Sequence, residues 1–192
     1  MHKIKNSINI SLNNIKKFFI NLGLEEMVNQ SVSRDLNVNE MKVDNPYKPD
    51  LKDLYRLYFF ILNNKRTTVM EFGSGWSSLV MALALTELKK KYSSTISKLR
   101  RNNPFELFII ENEKKYLSIS KKRLKRFSKK INIKINYLST DVIMTTYKGI
   151  ISTEYKKLPL CNPDFIYLDG PDQFNIRGDC NGISIRHIDM MP

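Results

Sequence analysis

A glycine loop with a carboxylate in front of it is the part of this sequence best suited to binding a small ligand. Residues 67–72 (TTVMEF) form an apolar run rich in β-branched residues, which carries Glu71 and leads into the loop 73–75 (GSG). From Ser77 onwards, apolar residues recur every three or four positions. This order predicts a strand, a glycine loop and a helix, with Ser77 or Ser78 capping the first turn of the helix.

Acidic residues also follow the other apolar runs of strand length. Glu111 follows a run at 105–110, Asp141 follows one at 133–138, and Asp169 follows one at 163–168. The carboxyl ends of parallel strands meet at one edge of a sheet, and open α/β sheets bind their ligands there. Carboxylates accept hydrogen bonds from sugar hydroxyls and attract positive groups, whereas they repel a diphosphate. The pattern therefore favours a nucleoside ligand that carries an amino or sulfonium group.

Two stretches resemble a known enzyme family. The ExGxG pattern of Glu71, Gly73 and Gly75 resembles motif I of the class I S-adenosylmethionine-dependent methyltransferases, and residues 164–171 (DFIYLDGP) resemble the fourth strand of that family. The resemblance implies S-adenosylmethionine as cofactor, with Glu111 on the ribose hydroxyls and Asp141 near the adenine amino group. The implied cofactor-binding residues are Glu71, Phe72, Gly73, Ser74, Gly75, Ser77, Ser78, Glu111, Asp141 and Asp169.

Catalysis would need a base only if the methyl acceptor keeps its proton. Asp169, which faces the reacting methyl group in the resembled family, is the first candidate, and His187 is the second. Asp169 is also a candidate ligand of a divalent metal together with Asp172 or Asp179. The polar segment 170–192 is expected to form a loop over the site and to shape the acceptor pocket. A small molecule, with O-methylation of a sugar-type hydroxyl favoured, is the expected acceptor.

Two other functions stay open at this stage. One is a non-catalytic binding or interaction module that keeps the sheet without turnover. The other is a nucleotide-dependent oxidoreductase, which is disfavoured by Glu71 and by Ser78 in the place of the third glycine of a dinucleotide fingerprint.

The remaining periodicity predicts the elements that position the site. Helices are expected from residue 4 to about 22, from 51 to about 63 with Asp50 as its N-cap, and across 117–131, while 89–104 is expected to end a helix and form a surface loop. The expected fold is α/β: a three-layer Rossmann-like sandwich with a mainly parallel sheet in the strand order 3-2-1-4, preceded by N-terminal helices. Residues 1–49 are assigned to a helix and connector, and residues 50–192 to a partial methyltransferase-like domain.

Only 24 residues follow Leu168, too few for the three further strands of the resembled family. The sequence therefore predicts a shortened fold whose fourth strand is an open sheet edge, and a homodimer through that edge is one expected consequence.

The amino-acid composition disfavours several classes of function. The formal net charge is +13, but 23 of the 32 basic residues are lysines in a chain that is also rich in Asn and Ile, so nucleic acid is not the expected partner. Two cysteines and two histidines are too few for a disulfide framework or a zinc site. No apolar stretch is long enough to span a membrane, and a cytoplasmic location is expected.

Overall fold

A computed structural model describes residues 10–31, 47–172 and 176–180 of the chain. The described part is α/β, as predicted, with seven strands and five helices. The helices are α1 (Leu12–Asn21), α2 (Glu25–Gln30), α3 (Leu51–Asn63), α4 (Trp76–Ile96) and α5 (Lys114–Arg126). The strands are β1 (Thr68–Phe72), β2 (Glu106–Glu111), β3 (Lys134–Ser139), β4 (Val142–Tyr147), β5 (Ile150–Tyr155), β6 (Phe165–Leu168) and β7 (Ile176–Arg177).

The main sheet has four strands in the order β3-β2-β1-β6, and each neighbouring pair is parallel. Since β6 is the strand expected at residues 163–168, the predicted order of third, second, first and fourth strand is confirmed. Glu71 of β1 lies opposite Ile109 of β2 and Tyr167 of β6. This register brings the carboxyl ends of β1, β2 and β6 to the same edge of the sheet.

Alternate residues of the central strands face two separate cores. Val69, Leu107 and Ile109 are fully buried in the larger core, to which all five described helices contribute. Met70 and Phe108 point to the opposite face and pack with Ile110 in a smaller core. Strands that are buried on both faces have continuous apolar sequences, and residues 107–110 (LFII) show this pattern.

The first long helix of the domain begins where the sequence predicted. Asp50 is the N-cap of α3, and its carboxylate accepts hydrogen bonds from the backbone N–H groups of Lys52 and Asp53. Tyr55 packs in the core against the ring of Phe18 from α1, with ring centroids 5.1 Å apart. Buried residues of α3 and α4 belong to the same core, so the two helices lie on the same face of the sheet.

Several predictions about helices were wrong in extent. Helix α1 begins only at Leu12, with Ser11 as its N-cap, and α5 ends at Arg126 and not near residue 131. Helix α4 continues to Ile96, so residues 89–96 are helical and not part of a surface loop. The 21 residues of this helix account for most of the separation between Glu71 and Glu111. Residues 25–30, assigned to an irregular connector, form the short helix α2, and its Met27 is fully buried in the main core.

A hairpin that the sequence analysis missed covers part of the second face. Strands β4 and β5 are antiparallel and are joined by Lys148 and Gly149, both with positive φ, which is the backbone of a two-residue hairpin turn. At the base of the hairpin, the ring of Tyr155 lies 4.8 Å from that of Phe72. In the described part of the chain this contact, together with Cys161, occupies the face where a three-layer sandwich would place helices.

Asp164 fastens the start of β6 to the start of β1. Its carboxylate accepts hydrogen bonds from the backbone N–H groups of Thr67 (2.9 Å) and Thr68 (3.0 Å) and from the Thr67 hydroxyl (3.0 Å). The guanidinium of Arg101 lies 2.6 Å from the same carboxylate. Since Thr67 and Thr68 are buried, their amides have little access to water as an alternative acceptor.

We expect Asp164→Ala to lower the free energy of unfolding by roughly 3 kcal/mol, because it leaves buried donors unpaired and removes a charge-assisted pair. Urea denaturation followed by circular dichroism measures the loss. Glu154→Ala, which removes an exposed carboxylate from β5, is the matched control and should change the free energy by less than about 0.5 kcal/mol. A loss no larger than that of the control would show that the Asp164 contacts do not hold β6 in place.

Candidate functional site

Three of the predicted acids come together at the carboxyl ends of adjacent strands. Glu71 is the penultimate residue of β1, Glu111 is the last residue of β2, and Asp169 directly follows β6. The negative charges of Asp169 and Glu111 both act on Glu71, which shows that the three carboxylates share one local field. The sequence prediction that these acids surround one hollow is consistent with this placement.

Glu71 is fully buried and accepts hydrogen bonds from the hydroxyls of Ser77 and Ser78, one at each carboxylate oxygen. Burial raises the pKa of Glu71 to about 8, although the two serine hydrogen bonds oppose the shift. Glu71 therefore retains a proton through most of the neutral range in the absence of a positive group nearby.

The serines were predicted to cap the first turn of the helix, and this is correct for Ser78 only. Helix α4 begins at Trp76 with Gly75 as its N-cap, and the hydroxyls of Ser77 and Ser78 both donate to Glu71. Ser78 also accepts a hydrogen bond from the backbone N–H of Gly75 at 3.2 Å. These contacts tie the first turn of the helix to the end of β1 and fix the loop between them.

The two glycines of the loop are needed for different physical reasons. Gly73 has a φ of +100°, and a Cβ on it would lie 2.6 Å from the carbonyl oxygen of Asp169, so no side chain fits. Gly75 has an extended backbone, and the nearest atom to an added Cβ would be the Ser77 hydroxyl at 3.7 Å. The fold therefore requires glycine at 73, whereas the space in front of Gly75 is open.

Glu111 lies on the other side of the glycine loop and is almost completely buried. Its carboxylate accepts hydrogen bonds from the Ser74 hydroxyl at 2.7 Å and from the backbone N–H of Glu113 at 2.9 Å. Burial raises the pKa of Glu111, and these hydrogen bonds partly offset the effect. Ser74 and Glu111 thus form one unit, in which the loop residue orients the carboxylate.

The segment after β6 crosses the end of β1 and is held by Asn112, the residue that follows β2. The backbone N–H of Asp169 donates to the Phe72 carbonyl at 2.8 Å, close to the start of the glycine loop. Three residues later, Asp172 exchanges two hydrogen bonds with the side-chain amide of Asn112, at 3.1 and 2.9 Å. Burial raises the pKa of the Asp169 carboxyl group, although the residue as a whole keeps exposed surface.

Asn112 was not predicted from the sequence. A single asparagine after a strand carries no distinctive pattern, and its importance depends on the crossing of residues 169–172, which only the fold reveals. The same holds for Tyr155, which belongs to the unpredicted hairpin and packs against Phe72.

Asp141 lies at the same edge of the sheet but has a different environment from the three clustered acids. It follows β3, its side chain is 45% exposed, and its carboxylate lies 3.6 Å from the guanidinium of Arg177 in β7. The adjoining Thr140 N–H donates to the Glu111 carbonyl at 3.1 Å. The chain therefore passes beside Glu111, while the Asp141 side chain pairs with a cation.

Some predicted positions fall outside the described residues. His187, the second candidate base, is one of them, as are residues 173–175 and 181–192 of the segment that was expected to form a loop over the site. Among the described residues, no three His, Cys, Asp or Glu side chains are grouped so that they could hold a metal ion. No helix in the described ranges is long and apolar enough to cross a membrane.

Comparison with protein-family models, characterised proteins and solved structures gives no match for this chain. The site therefore has to be interpreted from its own geometry and from the resemblance of its motifs.

The shifted pKa of Glu71 predicts how stability depends on pH. Because the folded pKa (about 8) lies above the ordinary value of 4.5, the native state binds a proton more tightly than the unfolded chain. The stabilisation is complete below about pH 4.5 and is lost as the pH rises towards 8.

We expect Glu71→Gln, which keeps the shape but cannot ionise, to flatten the decline of unfolding free energy between pH 5 and pH 8.5. Urea titrations at intervals across this range measure the slope for the wild type and the variant. Glu25→Gln, at an exposed position in α2, is the control and should reproduce the wild-type slope. Parallel curves for wild type and Glu71→Gln would contradict the buried, protonated state of Glu71.

Proposed function

We propose that this protein is an S-adenosylmethionine-dependent methyltransferase of the class I type. The observation that supports it is the meeting of Glu71, Glu111 and the glycine loop 73–75 at one edge of a parallel sheet. In the strand order β3-β2-β1-β6, the chain first adds β2 and β3 on one side of β1 and later adds β6 on the other side of β1. Such a switch point is where open α/β sheets bind ligands.

The electrostatics of the hollow favour a positively charged nucleoside over a dinucleotide. Within the described ranges, none of the ion pairs involves Glu71, Glu111 or Asp169. A diphosphate placed beside these acids would meet like charge without a compensating cation. A sulfonium, in contrast, would gain from each carboxylate that ionises near it.

The residues present fit the adenosyl and methionine parts of that cofactor. The Glu111 carboxylate, oriented by Ser74, is suited to accept hydrogen bonds from the two ribose hydroxyls. The open space in front of Gly75 lets a ligand approach the backbone at the start of α4. Glu71, which is held beneath the loop by Ser77 and Ser78, would contribute negative potential once a nearby sulfonium lowers its pKa and ionises it.

Bound S-adenosylmethionine supplies an activated methyl group, so the chain mainly has to hold donor and acceptor in line. Asp169 directly follows β6, keeps exposed surface, and is the group that we assign to the acceptor side. Its raised pKa makes it a better proton acceptor than an ordinary aspartate, which suits removal of a proton from an acceptor hydroxyl. Asn112 acts as a positioning residue, because it fixes Asp172 and with it the segment that carries Asp169.

We infer that the acceptor is a small molecule, with a sugar-type hydroxyl favoured, and that the protein acts in the cytoplasm. Cys161 and Cys180 are both free thiols, as expected in a reducing compartment. The second partner that we infer is another copy of the chain, bound through the open edge of β6.

Isothermal titration calorimetry tests the cofactor directly. We expect S-adenosylhomocysteine to bind the wild type and NAD to give no heat. Glu111→Ala should weaken S-adenosylhomocysteine binding about 10- to 100-fold, because it removes charge-assisted hydrogen bonds to the ribose. Glu154→Ala is the control and should bind as the wild type does. Absence of heat with S-adenosylhomocysteine, or unchanged affinity in Glu111→Ala, would contradict the assignment.

The glycine loop allows a test that separates folding from binding. Gly75→Ala should leave the melting temperature within about 2 °C of the wild type, because the fold has room for a Cβ there, and should weaken S-adenosylhomocysteine binding by crowding the ligand. Gly73→Ala should lower the melting temperature strongly, because its Cβ would collide with the Asp169 carbonyl. Differential scanning fluorimetry and calorimetry measure the two effects. Full ligand affinity in folded Gly75→Ala would count against close approach of a ligand to this loop.

A further inference from the structure

The two edges of the main sheet differ in how well they are protected against pairing with a strand of another chain. The β3 edge carries Lys134, which is largely exposed and pairs with Glu106 at 3.1 Å. Strand β6, with the sequence FIYL, has no charged residue and no proline. Charged side chains and prolines are the usual means of preventing strands from pairing edge to edge. In a chain with 32 basic residues, their absence from β6 marks this edge as one that can accept another strand.

Apolar side chains are exposed on both faces beside the β6 edge. Ile166 is 50% exposed and Leu168 is 57% exposed on the face opposite the helices. On the helical face, Phe60 of α3 is 44% exposed and packs on Phe165, with ring centroids 5.0 Å apart. Within the described residues β6 pairs only with β1, so the backbone groups on its outer side face outwards between these apolar surfaces.

A groove of about 340 Å³ runs along the helical side of this edge. It is lined by Leu57, Phe60, Phe165 and Tyr167, with Asp53 and Arg56 at its border. Asp53 and Arg56 form an ion pair of 2.9 Å, and each side chain remains about half exposed. The groove thus combines an apolar floor with one negative and one positive group, one turn apart on the same helix.

We propose that β6 pairs antiparallel with β6 of a second copy of this chain, joining two four-stranded sheets into one sheet of eight strands. A two-fold axis perpendicular to the sheet places both α3 helices on the same face, where they run antiparallel across the groove. Phe60 of each copy is then covered, and on the other face Ile166 packs against Ile166 of the second copy across the axis.

A second copy fits this edge better than an unrelated strand because the surface is complementary to itself. The two-fold axis brings Arg56 of one copy towards Asp53 of the other and the reverse, so both charges gain an additional partner. An isologous contact of this kind also closes after two copies, because each edge is used once. The proposal is independent of the methyltransferase assignment, since it depends only on β6 and α3.

Sedimentation-velocity ultracentrifugation across a concentration series tests the pairing. We expect the wild type to sediment as a dimer, and Ile166→Lys to shift the dissociation constant upwards by at least about 100-fold by placing two lysines at the axis. Ile150→Lys is the matched control, because Ile150 is 71% exposed at the tip of the β4–β5 hairpin and should leave the dimer intact. A wild-type monomer at the highest concentration would overturn the proposal.

The ion pair provides a second, orthogonal test. Asp53→Arg and Arg56→Asp should each weaken the dimer about 10-fold, because each places like charges across the axis. The double variant that exchanges the two residues restores opposite charges in both copies and should recover most of the affinity. Failure of the exchange to recover any affinity, or assembly that grows without limit instead of stopping at two copies, would show that the contact is not the proposed two-fold one.

Discussion

The parallel pairing of β1 with β2 on one side and β6 on the other is the constraint on which the rest of the structure depends. Because the three strands are in register, the carboxylates at their ends are placed side by side. The pairing also presses the Asp169 carbonyl against Gly73, so close that only glycine fits. The shape of the hollow is therefore set by backbone hydrogen bonds more than by contacts among its side chains.

The cluster of acids at the strand ends contrasts with the positive net charge of the chain. The chain carries a net charge of +13, yet three acids with raised pKa values, Glu71, Glu111 and Asp169, gather at one edge of the main sheet. Surface lysines are screened over about 8 Å at physiological salt, whereas the acids act at short range. A cationic ligand at this edge would lower the pKa values of these acids and stabilise their ionised form, so the site would become negative when the ligand binds.

Much of the fold could be predicted because the sequence signals are local. Residues 107–110 are a continuous apolar run, Asp50 is a recognisable cap, and Glu71, Glu111 and Asp169 stand at or just after the ends of apolar runs. Contacts between distant segments could not be predicted in this way. The hydrogen bonds between Asn112 and Asp172 depend on the crossing of residues 169–172 over the end of β1. The contact of Ser77 and Ser78 with Glu71 requires the turn between β1 and α4 to be known.

The β4–β5 hairpin was missed for another reason. Its strands, VIMTTY and IISTEY, are rich in β-branched residues but do not alternate between apolar and polar residues, so periodicity gives only a weak signal there. The hairpin also changes the architecture, because Tyr155 packs on Phe72 where a helix was expected. Sequence periodicity thus predicted the helical face of the sheet more completely than the opposite face.

A ¹H–¹⁵N NMR titration with S-adenosylhomocysteine tests the central claim, a nucleoside site at the meeting point of three strand ends, most directly. The structure predicts saturable shifts of the amides of residues 73–78, 111–113 and 169–172, with the β4–β5 hairpin tip unchanged. Saturable shifts confined to another surface, or no shifts at millimolar ligand, would contradict it.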